Sequence, residues 1–130
     1  MTVKAKKKTA RARALVKTGK GRISINQKSL TIIEPRYVKM LIEEPLILAP
    51  EDLVSSIDIR VSVMGGGFSG QAGAVRSAIA KALISYTGDE KLRDRFLEYD
   101  RTLLVDDVRR KEAKKPLGKG ARKKKQKSKR

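Results

Sequence analysis

Residues 57–63 alternate without a break, with Ile57, Ile59, Val61 and Val63 on one side and Asp58, Arg60 and Ser62 on the other. A period of two specifies a strand with one buried and one wet face, the pattern of a half-exposed and mostly antiparallel sheet. The strand runs into Gly65-Gly66-Gly67-Phe68-Ser69-Gly70, after which Val75, Ala78, Ile79, Ala82, Leu83 and Tyr86 recur at helical spacing. The expectation is an α+β fold, a small mostly antiparallel sheet packed on helices.

The flanking segments fill in around this unit. Residues 9–17 place Ala10, Ala12, Ala14 and Val16 against Thr9, Arg11, Arg13, Leu15 and Lys17, a strand with one basic face. Thr18-Gly19-Lys20-Gly21 supplies turn residues and residues 22–26 alternate again, which reads as a β-hairpin with a basic tip. Pro35 suits the first turn of a helix carrying Tyr37, Val38, Leu41 and Ile42 on one face, and Pro45 marks a break in it. Residues 46–53 read as a turn or a short helical segment. Gly88 suits the C-terminal cap of the main helix, and Asp89 can cap a further helix with Leu92, Phe96 and Leu97 on one face. Leu103, Leu104 and Val108 are the last apolar anchors.

The charge is unevenly placed. The 130 residues hold 32 Lys and Arg against 14 Asp and Glu, a net +18. Residues 1–22 carry nine cations and no acid, residues 109–130 carry thirteen cations and one acid, and residues 23–108 carry ten cations and thirteen acids. The middle is therefore an ordinary domain with basic ends. We divide the chain into a basic N-terminal extension (1–8), a globular docking domain (9–108) and a basic, extended C-terminal tail (109–130). Two basic ends on a near-neutral core call for a field of phosphates, which makes RNA or DNA the first partner. The tail is too polar to order without one. A nuclear-import signal needs only five to eight residues and leaves the second end unexplained.

Cys and His are absent, which removes thiol nucleophiles, disulfides, tetrahedral zinc sites and the commonest general base. Asp89-Glu90 and Asp106-Asp107 read as capping or solvated groups rather than a catalytic pair. No apolar run approaches the roughly 20 residues that cross a bilayer. The expectation is a soluble, intracellular protein that is no enzyme and needs no cofactor or metal. Gly65-x-Gly67-x-x-Gly70 literally matches the dinucleotide-binding pattern, but that reading needs a buried parallel strand before it and an acid ending a second strand about 20 residues on. Here the strand alternates and residue 89 opens a helix. The glycines then serve either close helix–strand contact or a phosphate held by backbone N–H groups at a helix start. In so basic a chain that phosphate is RNA backbone. A DNA-binding protein is the main rival, and it lacks an evident recognition helix.

The text Ser62-Val63-Met64-Gly65-Gly66-Gly67-Phe68-Ser69-Gly70-Gln71-Ala72-Gly73-Ala74-Val75-Arg76, the run Ile79-Ala80-Lys81-Ala82-Leu83, the opening Lys8-Thr9-Ala10-Arg11-Ala12-Arg13-Ala14 and the ending Gln126-Lys127-Ser128-Lys129-Arg130 resemble the small-subunit ribosomal protein S nine family over nearly the whole chain. The basic start and the ending look archaeal. The resemblance implies a domain like the second domain of ribosomal protein S five, bound in the head of the small subunit, with a tail running to the P site. It implies that Ser128, Lys129 and Arg130 approach P-site tRNA. Many bacterial relatives carry an aromatic residue where this chain has Lys127, so stacking there does not transfer.

The expected rRNA contacts are Arg11, Arg13, Lys20 and Arg22 on the basic strand and tip, and Gly65, Gly66, Gly67, Gly70, Gln71 and Arg76 at the glycine corner. In the tail they are Arg109, Arg110, Lys114, Lys115, Arg122, Lys123, Lys124 and Lys125. Neighbouring ribosomal proteins of the head are the other expected partners, in the cytoplasm, with no membrane and no obligate homo-oligomer.

Overall fold

A computed structural model describes residues 2–33, 36–107, 109 and 113. Five strands form one sheet in the order β1-β2-β5-β3-β4: β1 Thr2–Lys7, β2 Ala10–Thr18, β3 Ile23–Ile25, β4 Lys28–Ser29 and β5 Ile57–Met64. All neighbours are antiparallel except β3 and β5. The helices are α1 Arg36–Leu48, α2 Glu51–Ser55, α3 Phe68–Thr87 and α4 Glu90–Tyr99, with short 3₁₀ turns at Leu30–Ile32 and Arg101–Leu103.

Helix α3 lies across the sheet, and small residues set how closely. Ala5, Ala10, Ala12 and Ala14 face it from β1 and β2, Ala72, Ala74, Ala78 and Ala80 stand on the helix, and all are buried. Larger side chains fill the middle, where Ile57, Ile59 and Val61 of β5 are at most 1% exposed. α3 is buried without interruption from Ala72 to Ala80, because α1 and α4 cover the side that the sheet does not. Gly88 ends it in the left-handed conformation, and the Asp89 carboxylate accepts the Lys91 N–H to start α4. Leu92, Phe96 and Leu103 close the core beneath α4.

Several expectations need correction. The hairpin does not form: β5 lies between β2 and β3. Gly19 N–H donates to Ser56 O, Gly21 N–H to Ile57 O, and the Asp58 carboxylate accepts from Lys20 and Arg22 N–H. The loop is thereby carried across the end of β5, and β3 emerges on its far side, parallel to it. The intervening helices supply the crossover that parallel neighbours require. Pro45 does not break α1 but sits inside it with its ring buried, and that burial offsets part of the roughly 3 kcal/mol cost of an interior proline. Tyr37 and Leu97 are exposed rather than core-facing. Residues 2–7 are an edge strand rather than an appendage. Beyond them, Lys8 N–H donates to Asp107 O at 2.5 Å and Asp107 N–H to Lys6 O at 3.0 Å, so the chain after α4 covers part of the β1 edge. Pro35 and Val108 lie outside the described residues.

Candidate nucleic-acid interface

With the helices all on one side, the other face of the sheet is left uncovered among the described residues. Strand register decides what stands on it. Lys4 pairs with Arg13 and Lys6 with Arg11 between β1 and β2, and Leu15 pairs with Arg60 and Lys17 with Asp58 between β2 and β5. Partners across a ladder share a face, so Lys4, Lys6, Arg11, Arg13, Lys17 and Arg60 form one cationic surface. None of the six makes a salt bridge among the described residues. Asp58 is the only carboxylate on that face of β1, β2 and β5.

That carboxylate has its own task. Its hydrogen bonds from Arg22 N–H (3.0 Å) and Lys20 N–H (2.9 Å) hold the loop at residues 19–22. Only a glycine fits at position 19, where a Cβ would stand 2.1 Å from the Asp58 carboxyl carbon. The backbone donors, Arg22 first and then Lys20, hold the Asp58 carboxyl below its ordinary value of 3.8. Lys20 and Arg22 thus stand at one end of the cationic face on a loop with fixed backbone.

The glycine corner stands at the opposite end, about 25 Å away by the rise of an eight-residue strand. Gly65 has φ +81°, and a Cβ there would lie 2.5 Å from Thr9 O, so this glycine is required by close contact with the β1–β2 turn. Gln71 Nε2 donates to Gly65 O at 3.2 Å, which ties the loop to α3. Gly67 is the N-cap of α3 with no side chain to cap it, no acid follows in the first turn, and nothing lies within 4 Å of where its Cβ would be. The helix start is therefore open on that side. Phe68 and Tyr37 meet edge to face beside it, centroids 6.2 Å apart.

Arg76 is misplaced by the sequence reading. It is 8% exposed and inside the domain. Its Nε donates to Glu44 Oε2 at 2.6 Å, its Nη2 to Asp100 Oδ2 at 3.0 Å and its Nη1 to Thr102 Oγ1 at 3.3 Å. Burial raises the Asp100 carboxyl, but hydrogen bonds from Thr102 and Arg76 outweigh it and leave the group below its ordinary value. Arg76 joins α3 to α1 and to the end of α4, with its charge balanced by Glu44 and Asp100. Arg109 is exposed and paired with Asp107 at 2.7 Å, which holds that carboxyl at about 2. Arg110, Lys114, Lys115, Arg122, Lys123, Lys124, Lys125, Ser128, Lys129 and Arg130 lie outside the described residues.

The sequence reading did not single out Lys4, Lys6, Lys17 or Arg60 as site residues. The signal for the first two was present in the alternation of Thr2, Lys4 and Lys6 with Val3, Ala5 and Lys7, but it looked like part of a basic extension.

A helix-backed sheet with one cationic face defines a class: a small, basic α+β domain. The chain belongs to the ribosomal protein S9/S16 family, whose profile matches residues 5–130. It is 57% identical over 123 residues to small ribosomal subunit protein uS9 of Methanothrix thermoacetophila, covering 95% of this chain and 92% of that protein. It is 50% identical to small ribosomal subunit protein uS9 of Halobacterium salinarum, covering 95% and 93%.

Two predictions follow from the geometry of Asp58 and Arg76. Because the folded Asp58 pKa is depressed, its hold on the loop is fully present above 3.8 and is lost as pH falls through the folded value. In an NMR titration the Asp58 carboxyl should titrate below 3.8 together with the Lys20 and Arg22 amides; titration at or above the ordinary value would remove the loop's anchor. Arg76→Ala leaves Glu44 and Asp100 without a cation. Urea unfolding should show a loss toward the lower end of the roughly 3–5 kcal/mol for breaking a buried pair, since the Asp100 side chain keeps 37% exposure. An unchanged midpoint would show that the network contributes nothing.

Proposed function

We propose that this ribosomal protein is a structural constituent of the small subunit, docked on the 3′ domain of its rRNA in the head. The observation that carries the reading is the row of six cations on the outer sheet face, none in a salt bridge among the described residues, flanked by the anchored Lys20–Arg22 loop and the open start of α3. Phosphates spaced along an RNA backbone complement such a row, and each neutralised phosphate releases counterions. The glycine corner meets the backbone through main-chain N–H groups at Gly67 and Gly70, while Gly65, Gly66 and Gln71 hold the corner's shape. Neighbouring proteins of the head pack alongside, and the particle is cytoplasmic. The tail, residues 109–130, continues into RNA through Arg110, Lys114, Lys115 and the Arg122-Lys123-Lys124-Lys125 run, and Ser128, Lys129 and Arg130 approach P-site tRNA. Support for the tail comes from its charge and from the family, whose relatives are named as small-subunit proteins. No catalytic step belongs to the chain.

Binding to a transcript of the rRNA 3′ domain, measured across a salt series, tests this. Log affinity should fall steeply with log salt, and Arg11→Gln, Arg13→Gln and Arg60→Gln together should reduce the slope by roughly 2–3, near 0.7–0.9 per contact. Duplex DNA should bind more weakly, and NAD not at all. A slope unchanged by the triple variant, with wild-type binding intact, would move the interface off the sheet face.

A further inference from the structure

The alternation along β1 puts Val3, Ala5 and Lys7 on the helix side of the sheet, so a lysine stands in a core-facing row. Its stem fits because residue 73 of α3 is glycine: a Cβ at Gly73 would stand 2.3 Å from Lys7 Cδ and 2.9 Å from Nζ. The stem and the amine both lie over α3 at Gly73, as long cationic side chains do over apolar surface. Among the described residues Lys7 Nζ has no hydrogen bond or ion pair.

It borders a cleft of about 330 Å³ between β1, α3 and residues 101–109. The carboxylates of this cleft are already engaged. Asp106 holds Lys81 and accepts Lys6 N–H, and Asp107 holds Arg109. Arg76, at the cleft wall, is neutralised by Glu44 and Asp100. The exposed Arg101 side chain, like Lys7, has no ion-pair partner among the described residues. Lys7 and Arg101, together with Lys6, which also lines the cleft, are therefore its cations without an ion pair among the described residues. A guanidinium and an ammonium facing one concavity suit a tetrahedral oxyanion with several acceptor oxygens.

We propose that this cleft is a phosphate subsite in which Lys7 and Arg101 hold one phosphodiester of the bound RNA, with Gly73 the seat that lets Lys7 reach it. The proposal rests on the RNA-binding reading above but concerns the other side of β1. The open face and the cleft lie on opposite sides of β1, so the two surfaces can fail separately.

The test uses the full chain, the 3′-domain transcript and the same salt series, with melting curves for every variant. Because the two cations share one phosphate, Lys7→Gln and Arg101→Gln should each lower the slope, and the double variant by about 0.7–0.9 in all. Gly73→Ala improves helix propensity and should melt no lower than wild type, yet lower the slope as Lys7→Gln does, because the new methyl displaces the lysine stem. A purely structural Gly73 would give the reverse, a lower melting point with the slope intact, and overturns the proposal. Slopes unchanged in all three variants while Arg11→Gln with Arg13→Gln lowers its own also overturn it, leaving the RNA-binding reading in place. Inorganic phosphate, added at constant ionic strength, should not displace the RNA; displacement with unchanged variant slopes assigns the cleft to free phosphate and overturns the phosphodiester. If an acidic peptide, and not the transcript, discriminates wild type from Lys7→Gln, the cleft takes protein and the proposal fails. Absence of any wild-type binding overturns both readings.

Discussion

The seat of α3 on the alanine-lined face of β1 and β2 governs what the rest of the domain can do. Methyl-sized side chains on the sheet, Ala5, Ala10, Ala12 and Ala14, all buried, and glycines on the helix, Gly70 over Ala10 and Gly73 over Lys7, let helix and sheet approach closely, and α1 and α4 then cover the helix rather than the sheet. The buried apolar side chains Val16, Ile57, Ile59 and Val61 all stand on that side. The opposite face is left without a layer, and its composition is fixed by the alternation of the same strands. A substitution that swelled the alanine seat would tilt α3 and move both Gly67 and Gly73 with it.

The bare face carries an electrostatic penalty in isolation. Lys4 stands across from Arg13 and Lys6 across from Arg11, and like charges directly opposite on a ladder repel. Asp58 relieves little of this, since its carboxylate is taken up by Lys20 and Arg22 N–H. On the proposed reading RNA phosphates supply the missing counter-charge, and whatever binds the folded state alone also stabilises it. The domain is then better ordered on its partner than off it. By contrast Arg76, the cation held deepest, has its carboxylates built in, and the core does not wait on RNA.

How much of this was legible in the sequence follows from how local each signal is. The strand over 57–63, the long helix after the glycines, the Gly88 stop and the Asp89 cap were all readable, because each depends on neighbours within a few residues. The pairing of β2 with β5 rather than β3 was not, since it rests on Asp58 holding a loop almost forty residues earlier in the chain. β1 was hidden by its lysines: alternation with only Val3 and Ala5 as apolar members looks like a basic tail until β2 is placed beside it. Arg76 read as a phosphate ligand because it follows the glycine motif, whereas its surroundings are set by Glu44 of α1 and by Asp100, the residue that caps α4. Of the candidate site, the basic side of β2 was readable from residues 9–17 alone; the contribution of Lys4, Lys6 and Arg60 needed the register.

Whether the bare sheet face is where the protein meets RNA can be measured directly by lysine acetylation with mass spectrometry, comparing the isolated protein with the assembled small subunit. The account predicts strong protection of Lys4, Lys6 and Lys17 on assembly, against little change at Lys91, which stands exposed on α4 on the far side of the domain. Equal labelling of Lys4, Lys6 and Lys17 in the two states, with Lys91 protected instead, would contradict it and turn the helical side toward the RNA.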